Sequence, residues 1–96
     1  MAAYIVALLK VQDPATFQRY REEVTPLVDR FGGRYVIRGA TPEVLEGDWS
    51  LPRVVVIEFK SREAARYFYD SPEYQRILPL RTRSARGNVA IVDGVD

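Results

Sequence analysis

The chain contains no cysteine and no histidine. Without thiols it can form no disulfide, no thiolate nucleophile and no cysteine-based metal site. Its lack of cysteine fits a reducing cytoplasm, which is the expected location. Without imidazole it lacks the commonest metal ligand and the commonest general base near neutral pH, and a Ser–His nucleophile is excluded. Acidic clusters at metal-ligand spacing are absent as well, so neither a metal nor a cofactor is expected. Charge of one sign is also missing. Fourteen basic residues face thirteen acidic ones, a net +1, which removes the electrostatic reason to expect nucleic acid. Lys10 and Lys60 are the only lysines, so the basic side is almost entirely arginine. The apolar run Ala2 to Leu9 is too short to span a membrane and reads as a strand.

What remains is an ordinary globular composition, 47% hydrophobic and 28% charged. Ninety-six residues suit one domain over 1–96, which buries roughly 65% of its unfolded surface. Tyr4 to Leu9 is a continuous apolar run and predicts a buried strand. Asp13-Pro14 is a helix start, an N-cap acceptor followed by a first-turn proline. Phe17, Tyr20, Val24, Leu27, Val28 and Phe31 follow at helical spacing. Pro26 inside that pattern predicts a kink or irregular turn near Glu22 to Thr25. Gly32-Gly33 ends the helix.

Arg34 to Arg38 predicts a second strand. Gly39 to Pro52 is a long connection, with a short strand suggested at Val44-Leu45. Arg53 to Lys60 is the strongest strand of the chain. Ser61 caps a helix through Ala64, Ala65 and Phe68. Ser71-Pro72 starts another through Tyr74, Ile77 and Leu78, and Asn88 to Val92 is the last strand. The order strand, helix, strand, strand, helix, strand is an α+β, ferredoxin-like βαββαβ pattern. It predicts a four-stranded mixed, mainly antiparallel sheet, with strands one and three parallel in the middle and the helices on one face.

The two central strands are apolar on both faces, yet two helices cover only one. The other face needs a partner. A second copy is the simplest, giving a homodimer whose sheets pack into a dimeric α/β barrel. The alternative is that the 39–52 loop folds back over the open face.

Several stretches carry a family resemblance. In order they are Gly32-Gly33-Arg34, the Leu45-Glu46-Gly47 turn followed by Trp49, Val56-Ile57-Glu58-Phe59, and Ser71-Pro72-Glu73-Tyr74-Gln75 with Arg81 downstream. Together they resemble the family called domain of unknown function 1330. That resemblance implies a dimeric α/β barrel related in architecture to small monooxygenases and stress-responsive barrels. It implies no established catalytic residues.

Side-chain bulk assigns Val55, Ile57 and Phe59 to the helix side, so Glu58 points to the open face. Tyr4 shares that face by parity. Simple alternation puts Arg34, Val36 and Arg38 on one side of the second strand and Tyr35 and Ile37 on the other; if the arginine side is the open one, Glu58 has a guanidinium neighbour. A carboxylate, arginines and a tyrosine in an apolar wall make a small-molecule site. Glu58, desolvated there, is the candidate base with a raised pKa, and Tyr4, Arg34, Arg38, Trp49 and Glu58 are the candidate ligand contacts. The structural alternative is an ion pair of Glu58 with arginine that fixes dimer register. Trp49, with Glu46 and Asp48, lies in the long loop, where its plain role is to plug a seam. Arg76, Arg81, Arg83 and Arg86 form a basic stretch whose forked donors suit a carboxylate or phosphate, but the plainer reading is a solvated basic face. RNA binding is disfavoured, because the strand-three face lacks stacking aromatics.

The functional expectation is a protein binding a small, partly apolar, anionic molecule, with cofactor-independent catalysis open. Its alternative is a non-catalytic homodimerising module.

Overall fold

The computed structural model describes residues 1–95. Its elements are β1 (Ala3–Val11), α1 (Pro14–Arg30), β2 (Arg34–Ala40), β3 (Arg53–Phe59), α2 (Arg62–Asp70), α3 (Pro72–Ser84) and β4 (Ala85–Asp93). The strands form one sheet in the order β2-β3-β1-β4. The architecture is the ferredoxin-like α+β pattern, with an open sheet whose edges are β2 and β4.

Every strand pair is antiparallel. This corrects the expected parallel central pair. The chain turns back between β2 and β3, so β3 opposes both β2 and β1. The two helical crossovers therefore join strands that are not neighbours, with a third strand lying between each pair.

Local signals account for the helix ends. The Asp13 carboxylate accepts the Thr16 backbone N–H at 3.3 Å and its hydroxyl at 2.7 Å. Ser61 and Ser71 accept the N–H groups of Ala64 and Tyr74 at 3.0 and 3.1 Å. At the other end of α1, Gly32 takes φ 82°, and the N–H groups of Gly32 and Gly33 reach back to the carbonyls of Asp29 and Val28. This reciprocal cap needs a left-handed residue at Gly32.

The helix α1 runs unbroken through Pro26, where an irregular turn is expected from sequence. Pro26 is exposed, so water can take the carbonyl its ring leaves unpaired. The suggested strand at Val44-Leu45 does not form: 41–52 carries no strand, and Leu45 is 87% exposed. Two β-prone residues with no neighbouring strand have nothing to pair with.

Strand parity places Ile5, Ala7, Leu9, Ile57 and Phe59 under the helices, all buried. They meet Phe17, Val24 and Val28 of α1 and Phe68 of α2 in one core. The opposite parity, Tyr4, Val6, Leu8, Val54, Val56 and Glu58, lines the face that carries no helix, and all six are only half-buried. Among the described residues no helix is long and apolar enough to cross a membrane.

Candidate functional site

On the open face three strands bring three side chains into one row. The register pairs Tyr4 with Glu58 and Arg34 with Glu58. The Tyr4 hydroxyl donates to Glu58 Oε2 at 3.2 Å, and Arg34 donates through Nε at 3.1 Å and Nη2 at 2.6 Å to Oε1. Hydrogen bonds from Arg34 hold the Glu58 carboxyl below the usual range, against the upward pull of desolvation. The expectation of a raised pKa is thus reversed. Glu58 is a satisfied carboxylate and a weak base.

Arg38 leaves this row. Register shifts between Tyr35 and Ile37, and between Arg38 and Ala40, interrupt the pairing of β2 with β3. Val36 is the extra residue of the first, so Ile37 takes the open-face place opposite Val56 and Arg38 falls opposite Val55. Its guanidinium lies 4.8 Å from the Tyr35 ring centroid and donates to Thr25 Oγ1 of α1 at 2.9 Å. Strict alternation could not anticipate that reversal of parity. Trp49 is also apart from the row. It is 45% exposed, and its indole N–H donates locally to the Leu51 carbonyl at 2.8 Å.

The second polar constellation lies inside the core, under the helices. In α3 the buried residues are Tyr74, Ile77, Arg81 and Ser84, spaced three, four and three apart. That spacing is one helical face, and an arginine occupies it. Arg81 is only 8% exposed, which corrects its placement on a solvated basic face; Arg76, Arg83 and Arg86 are exposed as expected. Its Nε donates to Tyr74 Oη at 3.3 Å, and that hydroxyl lies 2.8 Å from the Tyr20 hydroxyl of α1. No ion pair among the described residues includes Arg81.

A cavity of about 40 Å³ opens here between sheet and helices, lined by Leu9, Tyr20, Tyr35, Tyr69, Tyr74 and Arg81 among others. Burial, with the neighbouring Tyr74 behind it, pushes the Tyr20 phenol well above its ordinary range, so it stays protonated at neutral pH. Burial also raises Tyr35, over the opposing pull of Thr25 and Arg38. For Arg81, burial works against the cation, and the Tyr74 hydroxyl that accepts its Nε–H supports it. Tyr20 and Tyr35 therefore stand neutral beside the Arg81 cation. Two hydroxyls sharing one hydrogen bond leave one phenolic proton free whichever of them donates. A guanidinium beside a free O–H is a ready holder for a carboxylate or enolate oxygen. The signal in the sequence was the 74-77-81-84 spacing.

Solved structures share this architecture. A protein of unknown function from Rhodopseudomonas palustris superposes with a TM-score of 0.79 at 16% identity, over 99% of this chain and 83% of its own. SnoaB, a cofactor-independent oxygenase from Streptomyces nogalater, gives 0.69 at 14% identity, over 99% and 94%. A dimeric ferredoxin-like protein of unknown function from Jannaschia sp. CCS1 gives 0.67 at 14%, over 98% and 100%. At these identities the likeness is one of fold. Among curated proteins nothing matches the chain. The model of the family described as Domain of unknown function (DUF1330) matches residues 2–95, and with essentially its whole length covered the chain belongs to that family.

Proposed function

We propose that this chain binds a small, partly apolar anion in the cavity between sheet and helices, and does so as a homodimer. The observation that carries the reading is Arg81, a buried guanidinium without a carboxylate partner among the described residues. Burying a charge unpaired costs several kcal/mol. An arriving anion offsets that cost, and the phenolic proton left free by Tyr20 and Tyr74 gives it a second donor.

The same geometry favours binding over catalysis. Neither carboxylate nor imidazole lines this cavity, so it stabilises an oxyanion without supplying a base. Benzoate titration followed by backbone amide shifts tests the reading. Saturable binding that is lost in Arg81→Gln is expected. Equal affinity in Arg81→Gln overturns it.

The dimer rests on the helix-free face, where Val6, Leu8, Val54 and Val56 form an apolar strip beside Ile37. Val44, Leu45 and Trp49 of the long loop stay exposed, which favours a second copy over the loop as its cover. A dimeric neighbour of the same fold supports this. Two copies closed face to face form the α/β barrel, with the Tyr4–Glu58–Arg34 row at the seam fixing register.

A further inference from the structure

We infer that the molecule held at Arg81 is an elongated aromatic acid whose apolar body leaves the cavity past Tyr69 and lies in the groove between α2 and β4. This rests on the anion site proposed above. The interior cavity, about 40 Å³, has room for one carboxyl group or a few waters and no more. Whatever carries the acid must therefore continue elsewhere. The groove beside it measures about 760 Å³, within the size range of small-molecule sites.

The two spaces share three wall residues, Ile5, Tyr69 and Val89. Tyr69 is half-buried, and its ring lies 5.3 Å from that of Tyr74, the residue that accepts the Arg81 hydrogen bond. It stands between the charged head site and the groove.

The chemistry of the groove selects the body of the ligand. Ile5, Val89, Ile91 and Tyr67 offer apolar and aromatic surface. Two arginines on the rim already have partners, Arg66 with Asp70 at 2.8 Å and Arg62 with Asp93 at 3.1 Å. With both arginines paired and Glu63 adding a negative charge to the same rim, the groove offers an anion no free cation; it suits a neutral, flat body, and the one charge of the ligand belongs at Arg81. A second cleft touches the same cavity through Tyr35, between α1 and β2. It shares only that residue and is smaller, about 440 Å³.

Benzoate and 2-naphthoate separate these cases when titrated into the full chain with amide shifts recorded. The naphthoate should bind about tenfold tighter, since its second ring buries added apolar surface. Its binding should shift the amides of Tyr67 and Ile91 further than benzoate does, since a single ring reaches only as far as the shared wall at Tyr69 and Val89. Val89→Phe, which narrows the shared wall, should weaken naphthoate more than benzoate and so erase the tenfold preference. Equal affinities for the two acids overturn the inference, as do naphthoate-specific shifts at Thr25 and Gly33 of the second cleft. The shift pattern needs no variant, so it decides the matter even where Val89→Phe fails to fold. A chain that binds neither acid, or an Arg81→Gln variant that keeps both affinities, instead removes the anion site itself.

Discussion

The hydroxyls of Tyr20 and Tyr74 meet at 2.8 Å across 54 positions of the chain, and the second of them accepts the Nε–H of Arg81. Two helices and one buried cation are tied by this chain of bonds. Tyr74 is the middle member, and that position sets an order among substitutions. Tyr74→Phe strands the Arg81 Nε–H and the Tyr20 hydroxyl together and should cost about 2–3 kcal/mol. Tyr20→Phe removes an end member and should cost about 1 kcal/mol. Urea unfolding of both variants measures the order, and a larger loss in Tyr20→Phe contradicts it.

A buried cation kept for a ligand should be a liability to the free protein. Arg81→Met fills similar space without charge. It should leave stability unchanged or raise it by about 1 kcal/mol, some 4–8 °C in Tm for a domain of this size, while anion binding disappears. A destabilised Arg81→Met protein would mark the arginine as structural.

Glu58 contributes a pH dependence of defined sign. Its folded pKa is depressed, chiefly by Arg34, so the stability it contributes is present above the unfolded glutamate value of about 4.3 and is lost as pH falls through the lower folded value. Glu58→Gln should therefore be less stable than the parent at pH 7, with the two unfolding curves converging below about pH 4. Curves separated by the same gap at pH 7 and pH 3 would exclude the linkage.

Association through the open face predicts a dimer that persists on dilution in sedimentation equilibrium. Val56 pairs with Val6 at the middle of that face, away from the helices. Val56→Arg should give a folded monomer, with its circular dichroism spectrum unchanged. A parent protein that sediments as a monomer throughout would leave the face to another partner.

Gly39 and Gly47 form a matched pair of tests. Both have positive φ, 81° and 78°. A Cβ at Gly47 meets nothing within 4 Å, whereas one at Gly39 collides with the Arg53 guanidinium. Gly47→Ala should cost only the backbone term of about 1 kcal/mol. Gly39→Ala should cost more, because Arg53 must also leave its place 5.1 Å from the Phe17 ring centroid. Equal melting temperatures for the two variants would show that Arg53 moves freely.

The features legible in the sequence were those that a few neighbouring residues settle among themselves. Asp13-Pro14, Ser61 and Ser71-Pro72 start helices because a capping side chain reaches an N–H only three positions on. Gly32 ends one because a left-handed residue is needed there. The apolar runs of β1 and β3, with their alternating parity, put Ile57 in the core and Glu58 on the same face as Tyr4, whereas Arg34 joined them through the pairing of β2 with β3.

Arg38 and Arg81 were decided by tertiary structure. The extra residue at Val36 exists only as a mismatch between β2 and the strand it pairs with, so no pattern within β2 could show that Arg38 turns toward Thr25. An arginine on an amphipathic helix belongs by default to the wet side. Arg81 sits instead on the buried stripe of α3, and Tyr20 of α1 and Tyr74 of α3 give it hydroxyls in place of water. Local chemistry determined where the elements begin, end and face the core. Which polar groups that core could tolerate depended on partners that only packing brings within hydrogen-bond distance.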